Sequence, residues 1–228
     1  MPIDPNAAIE ITAFQWVPPG AQGLVKDLRV RWALEEAGLH YRVRLIGGDR
    51  PPGYAQEQAF NQVPCFRDET VQIFESGAIL QYIGEKTEAL LPRDSQGRYR
   101  AIQWICAAVS SVEPFVQFRA LLNVVFADQE WAEPAKPTFE HFARLRLQQL
   151  SDRLGDKPWL EGDGFTIGDL MMVTVLRIAD RSGQLADFPK LAAYVKRGES
   201  RPAFAQALND QLAVFAANEP QVEEGAAA

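Results

Sequence analysis

The chain has 228 residues, 47% hydrophobic and 23% charged, with 23 basic against 30 acidic side chains and a formal charge of −7. At roughly 150 residues per domain the length corresponds to about one and a half domains, one large or two modest. The apolar share excludes a disordered chain, and the negative charge argues against nucleic acid or an anionic membrane as the main partner. Two cysteines and two histidines are too few for a disulfide framework or for a thiolate or histidine metal cluster.

Residues 1–10 carry no basic stretch followed by an apolar run, so no signal peptide is expected. No run reaches ~18 consecutive apolar residues, so no transmembrane helix is expected, and the reducing cytoplasm is the default compartment.

Residues 9–14 form a β-favouring run. Residues 15–23, with Pro18, Pro19, Gly20 and Gly23, read as a loop. Residues 24–37 place Leu24, Leu28, Trp32 and Ala33 at helical spacing, with Gly38 as the stop. Residues 41–46 alternate Tyr41, Val43 and Leu45 with Arg42 and Arg44, the pattern of a half-buried strand. This β-α-β opening implies parallel strands joined by a right-handed crossover. A Gly/Pro-rich loop follows at 47–53. Two short runs, 65–67 and 71–74, flank Asp68-Glu69-Thr70 as a hairpin, and 76–86 is a helix with Ile79, Leu80 and Ile83 on one face.

Beyond a linker at 90–96 the pattern is helical throughout. Residues 98–126 are long and periodic, and Pro114 is expected to bend or break them. Pro134 and Pro137 are expected to punctuate a connection before a helix over 139–154. Thr166 with Asp169 three residues on is a capping-box variant, with Phe165 and Leu170 as its staple. The nearly all-apolar run 170–178 behind it is expected at the centre of the second domain. Helices over 188–197 and 202–216 complete the chain. The expected division is an α/β domain over 1–89, an all-α domain over 96–218 and a flexible tail over 219–228, with no internal repeat.

Chemistry concentrates in two short stretches. The first is Gln62-Val63-Pro64, where the proline opens a strand. A proline there lies on an edge or in a cis turn, and a cis bond would offer the N–H and C=O of Val63 to an extended, peptide-like ligand. The second is Glu75-Ser76 at a strand-to-helix junction. Helix N-terminal N–H groups and the Ser76 hydroxyl suit a carboxylate, and Glu75 suits an ammonium group, so together they fit the zwitterionic end of an amino acid. Alone, each stretch reads as a turn or an N-cap; their combination in this element order is more specific.

The chain resembles the glutathione transferase superfamily over nearly its full length. The resemblance is carried by the sequence from Arg29 to Gly38, by Gln62-Val63-Pro64, by Phe74-Glu75-Ser76-Gly77-Ala78-Ile79 with Tyr82-Ile83, and by Trp159-Leu160-Glu161-Gly162-Asp163 leading into Phe165-Thr166-Ile167-Gly168-Asp169. It implies an α/β thioredoxin-like domain followed by an all-α helical-bundle domain, a cis Pro64, and glutathione as co-substrate with no metal. Val63 would pair with the cysteinyl backbone of glutathione, Glu75 and Ser76 would hold its γ-glutamyl end, and Gln62, Asn61 and Arg50 are candidates for its glycyl carboxylate. A small electrophile would be the second substrate, and a homodimer is implied.

One departure from the family pattern stands out. The loop after the first strand, residues 14–24, lacks the Tyr, Ser or Cys that usually stabilises the glutathione thiolate. Candidate replacements are Gln22 first and Lys26 second, with Arg29 and the backbone N–H groups of 23–25 beside them. Trp16, Phe115 and Arg119, with Phe118, are candidates for the second-substrate pocket. Two alternatives follow: a glutathione-dependent oxidoreductase acting through Cys65, and a non-catalytic binding module. Cys65 and Cys106 both also suit plain packing roles.

Overall fold

In the computed structural model, which describes residues 3–87 and 89–220, the chain forms an α/β layer followed by a helical bundle. The expected division at 90–96 falls where the last helix of the α/β layer gives way to the bundle. Residues 221–228 of the expected tail lie outside the described residues.

The sheet contains β1 (Ile9–Phe14), β2 (Tyr41–Ile46), β3 (Cys65–Arg67) and β4 (Gln72–Phe74) in the order β2-β1-β3-β4. β1 and β2 are parallel with Ile9 opposite Tyr41, whereas β3 runs antiparallel to both β1 and β4. The crossover helix α1 (Asp27–Ala37) begins three residues later than its periodicity suggests. Gly23, at φ 76°, turns the chain first. Gly38, at φ 64°, ends α1 by donating its N–H to the carbonyls of Leu34 and Glu35. A short helix α2 (Tyr54–Glu57) follows the expected loop at 47–53, and α3 (Ser76–Lys86) follows β4.

α1 is buried over most of its length because it lies between the sheet layer and the bundle. Trp32 is fully buried, with its ring 5.4 Å from Phe165 and 4.9 Å from Phe204, and its indole N–H donates to Glu36 at 2.9 Å. Burying a side chain of this size contributes on the order of 3 kcal/mol. On its charged face, Arg31 Nε donates to Asp27 at 2.8 Å, and Gln211 of the last helix donates to the same carboxylate at 2.7 Å.

The bundle opens with α4 (Ser95–Ala107), which runs through a π-helical segment, Ala108–Val112, into α5 (Glu113–Val124). Pro114 therefore does not break the helix. It occupies the first turn of α5, and the wide π turn before it removes the need for a Pro114 N–H. The expected connection at Pro134 and Pro137 is also helical, because α6 spans Ala132–Leu154. Pro134 falls in the first turn, where N–H groups have no intrahelical partner, and Pro137 is accommodated inside the helix.

The bundle's centre is α7 (Ile167–Arg181), buried at nearly every position. Its capping box forms as the sequence suggests. The Thr166 hydroxyl accepts from the Gly168 N–H at 3.2 Å, and Asp169 accepts from the Thr166 N–H at 3.0 Å. Asp169, with no exposure, also accepts from the Leu160 N–H and the Tyr194 hydroxyl, each at 2.9 Å. Burial raises the Asp169 carboxyl above its ordinary pKa in spite of these bonds. Phe165 packs on Trp32 and Trp159, carrying the cap into the domain interface. Helices α8 (Pro189–Glu199) and α9 (Pro202–Ala217) close the bundle, with α9 lying along α1.

One buried ion pair joins the two layers. Glu113 of α5 accepts from Arg29 of α1 at 2.8 Å and lies 3.2 Å from Lys26. Burial alone would raise the Glu113 carboxyl, but Arg29 and then Lys26 more than offset this and hold it below the ordinary carboxylate value.

Two outcomes are expected. At Gly168 an added Cβ would sit 2.7 Å from Trp104 Cβ and 2.8 Å from the Ala101 carbonyl, so Gly168→Ala should destabilise the fold by about 2–3 kcal/mol in chemical denaturation. A depressed Glu113 contributes stability above its unfolded pKa and loses it as pH falls through the lower folded value. The stability gap between wild type and Glu113→Gln should therefore be widest near neutrality and shrink below about pH 4.

Candidate functional site

A polar cleft opens where β3, the start of α3 and the start of α1 meet. It is lined by Lys26, Gln58, Gln62, Val63, Pro64, Glu75 and Ser76. Of the expected residues, Lys26, Gln62, Val63, Pro64, Glu75 and Ser76 are thus brought together.

The Val63–Pro64 peptide is cis. Val63 is 5% exposed, and among the described residues its N–H and C=O have no hydrogen-bond partner. Backbone groups in that state are the ones an extended ligand can pair with. Across the cleft, Glu75 caps α3 with φ 72° and ψ 111°, a left-handed conformation costing on the order of 1 kcal/mol for a residue with a side chain. The first N–H groups of α3 and the Ser76 hydroxyl follow directly at this junction, beside the cleft.

Ser76 is buried, and its oxygen accepts from Arg29 Nη1 at 3.2 Å. Since the oxygen is taken as an acceptor, the hydroxyl proton is left to donate toward the cleft. The same Arg29 is the one paired with Glu113, so a carboxylate from the helical layer lies one residue behind the site. Lys26 reaches Glu113 while remaining 42% exposed, which makes it a cation on the cleft rim.

The remaining expected residues lie elsewhere. The Gln22 amide donates to the Val17 carbonyl at 3.1 Å, so it braces its own loop. Trp16 is half-buried in that loop, and its indole N–H has no partner among the described residues. Phe115 stacks on Phe142 of α6 at 5.4 Å and Arg119 pairs with Glu140, so both turn toward α6 and away from Glu113. Helical spacing carries the Glu113 face on to Gln117 and Ala120, positions that periodicity alone did not pick out because the π segment shifts the register. Arg50 lies 4.6 Å over Phe14 and donates to the carbonyls of Gly47 and Asn61, organising the loop before α2.

Cys65 does not serve as the attacking group. It is 3% exposed, its thiol donates to the Glu57 carbonyl at 3.3 Å, and burial raises its pKa, so it stays a protonated packing residue. Thr12 is likewise turned into the core. Among the described residues no group of His, Cys, Asp and Glu side chains has the arrangement of a metal site.

The loop between β1 and α1 is gripped from the helical layer. Arg181 donates to the Gln22 carbonyl at 2.6 Å, Arg177 to that of Gly23, and Gln211 to that of Val25 at 3.3 Å. At its start, Gln15 donates to Asn218 at 2.9 Å.

Comparison with known proteins agrees with this geometry. Residues 22–85 match the sequence profile of the glutathione S-transferase N-terminal domain, and residues 129–197 that of its C-terminal domain. The chain is 29% identical over 187 residues to the disulfide-bond oxidoreductase YfcG of Escherichia coli, covering 77% of this chain and 86% of that one. It is 30% identical over 149 residues to glutathione S-transferase F10 of Arabidopsis thaliana, covering 60% of this chain and 68% of the relative. In fold it is similar to a glutathione transferase family member from Pseudomonas fluorescens solved with two glutathione molecules bound. That match has a TM-score of 0.78 at 23% identity and covers 89% of this chain and 92% of the other. With both domain profiles matched in order on a thioredoxin-like layer and a helical bundle, the chain belongs to the glutathione transferase superfamily.

Proposed function

We propose that the protein is a glutathione transferase that binds glutathione in the Val63–Ser76 cleft and presents its thiolate to a small electrophile. The observation that carries this reading is the juxtaposition of Val63's unpaired backbone groups with the α3 N-terminus, Ser76 and Glu75. Val63 pairs with the cysteinyl backbone, the Ser76 hydroxyl and the first N–H groups of α3 take the γ-glutamyl carboxylate, and Glu75 takes its ammonium group. Gln62 lies toward the glycyl end.

Activation of the thiol falls to Lys26, the cation on the rim, in a loop without hydroxyl or thiol side chains. A thiol near pKa 8.5 is ionised in about a tenth of the bound molecules at pH 7.5, and each unit of lowering corresponds to about 1.4 kcal/mol. One charge-assisted contact supplies that much. The electrophile approaches along the α5 face that continues from Glu113.

A second reading within the same site is glutathione-dependent disulfide reduction, favoured by the likeness to the E. coli disulfide-bond oxidoreductase. Two glutathione thiols would reduce one disulfide to two thiols and leave glutathione disulfide. With Cys65 buried, that chemistry runs through glutathione sulfur alone. The proposed assembly is a homodimer using the exposed side of α4 and the π segment after it, where Tyr99 and Val109 face outward, and the proposed compartment is the reducing cytoplasm. Light scattering should then give twice the chain mass of 25.4 kDa.

Isothermal titration tests the binding. Wild type should bind glutathione, and Glu75→Ala and Ser76→Ala should each weaken it by about ten- to a hundredfold, the effect of losing a charged hydrogen bond. No binding by wild type at millimolar glutathione would refute the reading. Thiolate absorbance of the bound complex checks activation. Lys26→Ala should raise the bound thiol's pKa by about half to one unit, whereas Gln22→Ala should move it less.

A further inference from the structure

Behind the cleft, three buried side chains, Thr12 of β1 with Tyr54 and Gln58 at the two ends of α2, converge on the turn that carries Val63. The Tyr54 hydroxyl lies 2.7 Å from the Gln62 carbonyl and 2.9 Å from Thr12 Oγ1, and Thr12 Oγ1 accepts from the Cys65 N–H at 2.7 Å. Tyr54 and Thr12 are each 1% exposed. On the other side Gln58, 3% exposed, accepts the N–H groups of Phe60 at 2.7 Å and of Gln62 at 3.2 Å through its amide oxygen.

The proton count fixes the direction of this chain. Tyr54 has one hydroxyl proton, and the Gln62 carbonyl can only accept, so that proton goes to Gln62. Thr12 already accepts from Cys65, so its own proton goes to the Tyr54 oxygen. Every donor is used once, in one direction: Cys65 N–H to Thr12, Thr12 to Tyr54, Tyr54 to Gln62. Burial pushes the Tyr54 hydroxyl up to about 12, so it keeps its proton across the neutral range. The turn from Gln62 to Cys65 is held at both ends, and the groups left over are those of Val63.

We propose that Tyr54 and Thr12 are positioning residues for ligand binding: their relay fixes the Gln62 carbonyl and the Cys65 amide, and so presents the Val63 N–H and C=O as a preformed pair of partners for the cysteinyl backbone of glutathione. The assignment rests on the glutathione reading above. Neither side chain touches the ligand. Without the relay the turn must be ordered at the moment of binding, and affinity falls by that cost.

The test uses the full chain and variants that keep shape, Tyr54→Phe and Thr12→Val, with Thr12→Ser as the conservative control. Each of the first two should weaken glutathione binding about five- to tenfold in titration, the range for one buried hydrogen bond. Their combination should be little worse than either alone, because both break one chain. Thr12→Ser should bind as wild type does. In steady-state assays KM for glutathione should rise while KM for the electrophile stays put, and amide exchange should quicken at Cys65 in both weakened variants. Wild-type affinity in both variants, or equal weakening in Thr12→Ser, would overturn the proposal. Failure of wild type to bind glutathione would be seen first, and would overturn the function together with this assignment.

Discussion

The buried pair of Arg29 and Glu113 is the interaction on which the rest of the molecule turns. A carboxylate from the helical layer and a guanidinium from the α/β layer are each about 5% exposed, and neither is tolerable there without the other. Their pairing ties α5 to α1. It also leaves Arg29 a second N–H to direct at Ser76, so one side chain touches both the layer interface and the cleft. The π segment before Glu113 belongs to the same arrangement. One extra residue in the turn rotates the following face of the helix, and Glu113 is the first residue after it.

Around this pair the interface is built from aromatic packing and from donors aimed at backbone carbonyls. Trp32 enters from the middle of α1, Phe165 from the cap of α7 and Phe204 from the first turn of α9, so three helices supply the wedge between the layers. Asp169 ties the cap of α7 to the segment before it and to Tyr194 of α8. Local capping chemistry and long-range packing therefore reinforce each other at one position, which favours a single native arrangement.

Much of this was legible in the sequence. Gly38, Thr166 with Asp169, and Val63-Pro64 act through backbone rules that hold wherever they occur, and each appears in the structure as read. Pro134 and Pro137 lie inside a helix rather than a connection, and Pro114 does not break its helix, for a shared reason. A proline says that one N–H is missing, but not whether a first turn or a π bulge has already removed the need for it. Most of the cleft's lining was legible because Gln62, Val63, Pro64, Glu75 and Ser76 are close in sequence. Arg29 with Glu113, and Tyr54 with Thr12 and Cys65, were not, because each joins segments far apart in the chain and depends on a register that periodicity does not fix. Phe115 and Arg119 were placed by their helix but not by its rotation, and they face α6.

The grip on the loop after β1 has a consequence for how separable the two halves are. The carbonyls of Gln22, Gly23 and Val25 are satisfied by Arg181, Arg177 and Gln211, all from the helical half. The loop that leads from β1 to the cleft is thus shaped by residues of the helical half. A thioredoxin-like half transplanted onto a foreign bundle would keep Val63 and Ser76 but lose the donors that shape this loop. The two halves are matched in structure at this loop, and an exchange at the linker would leave three of its carbonyls without their donors.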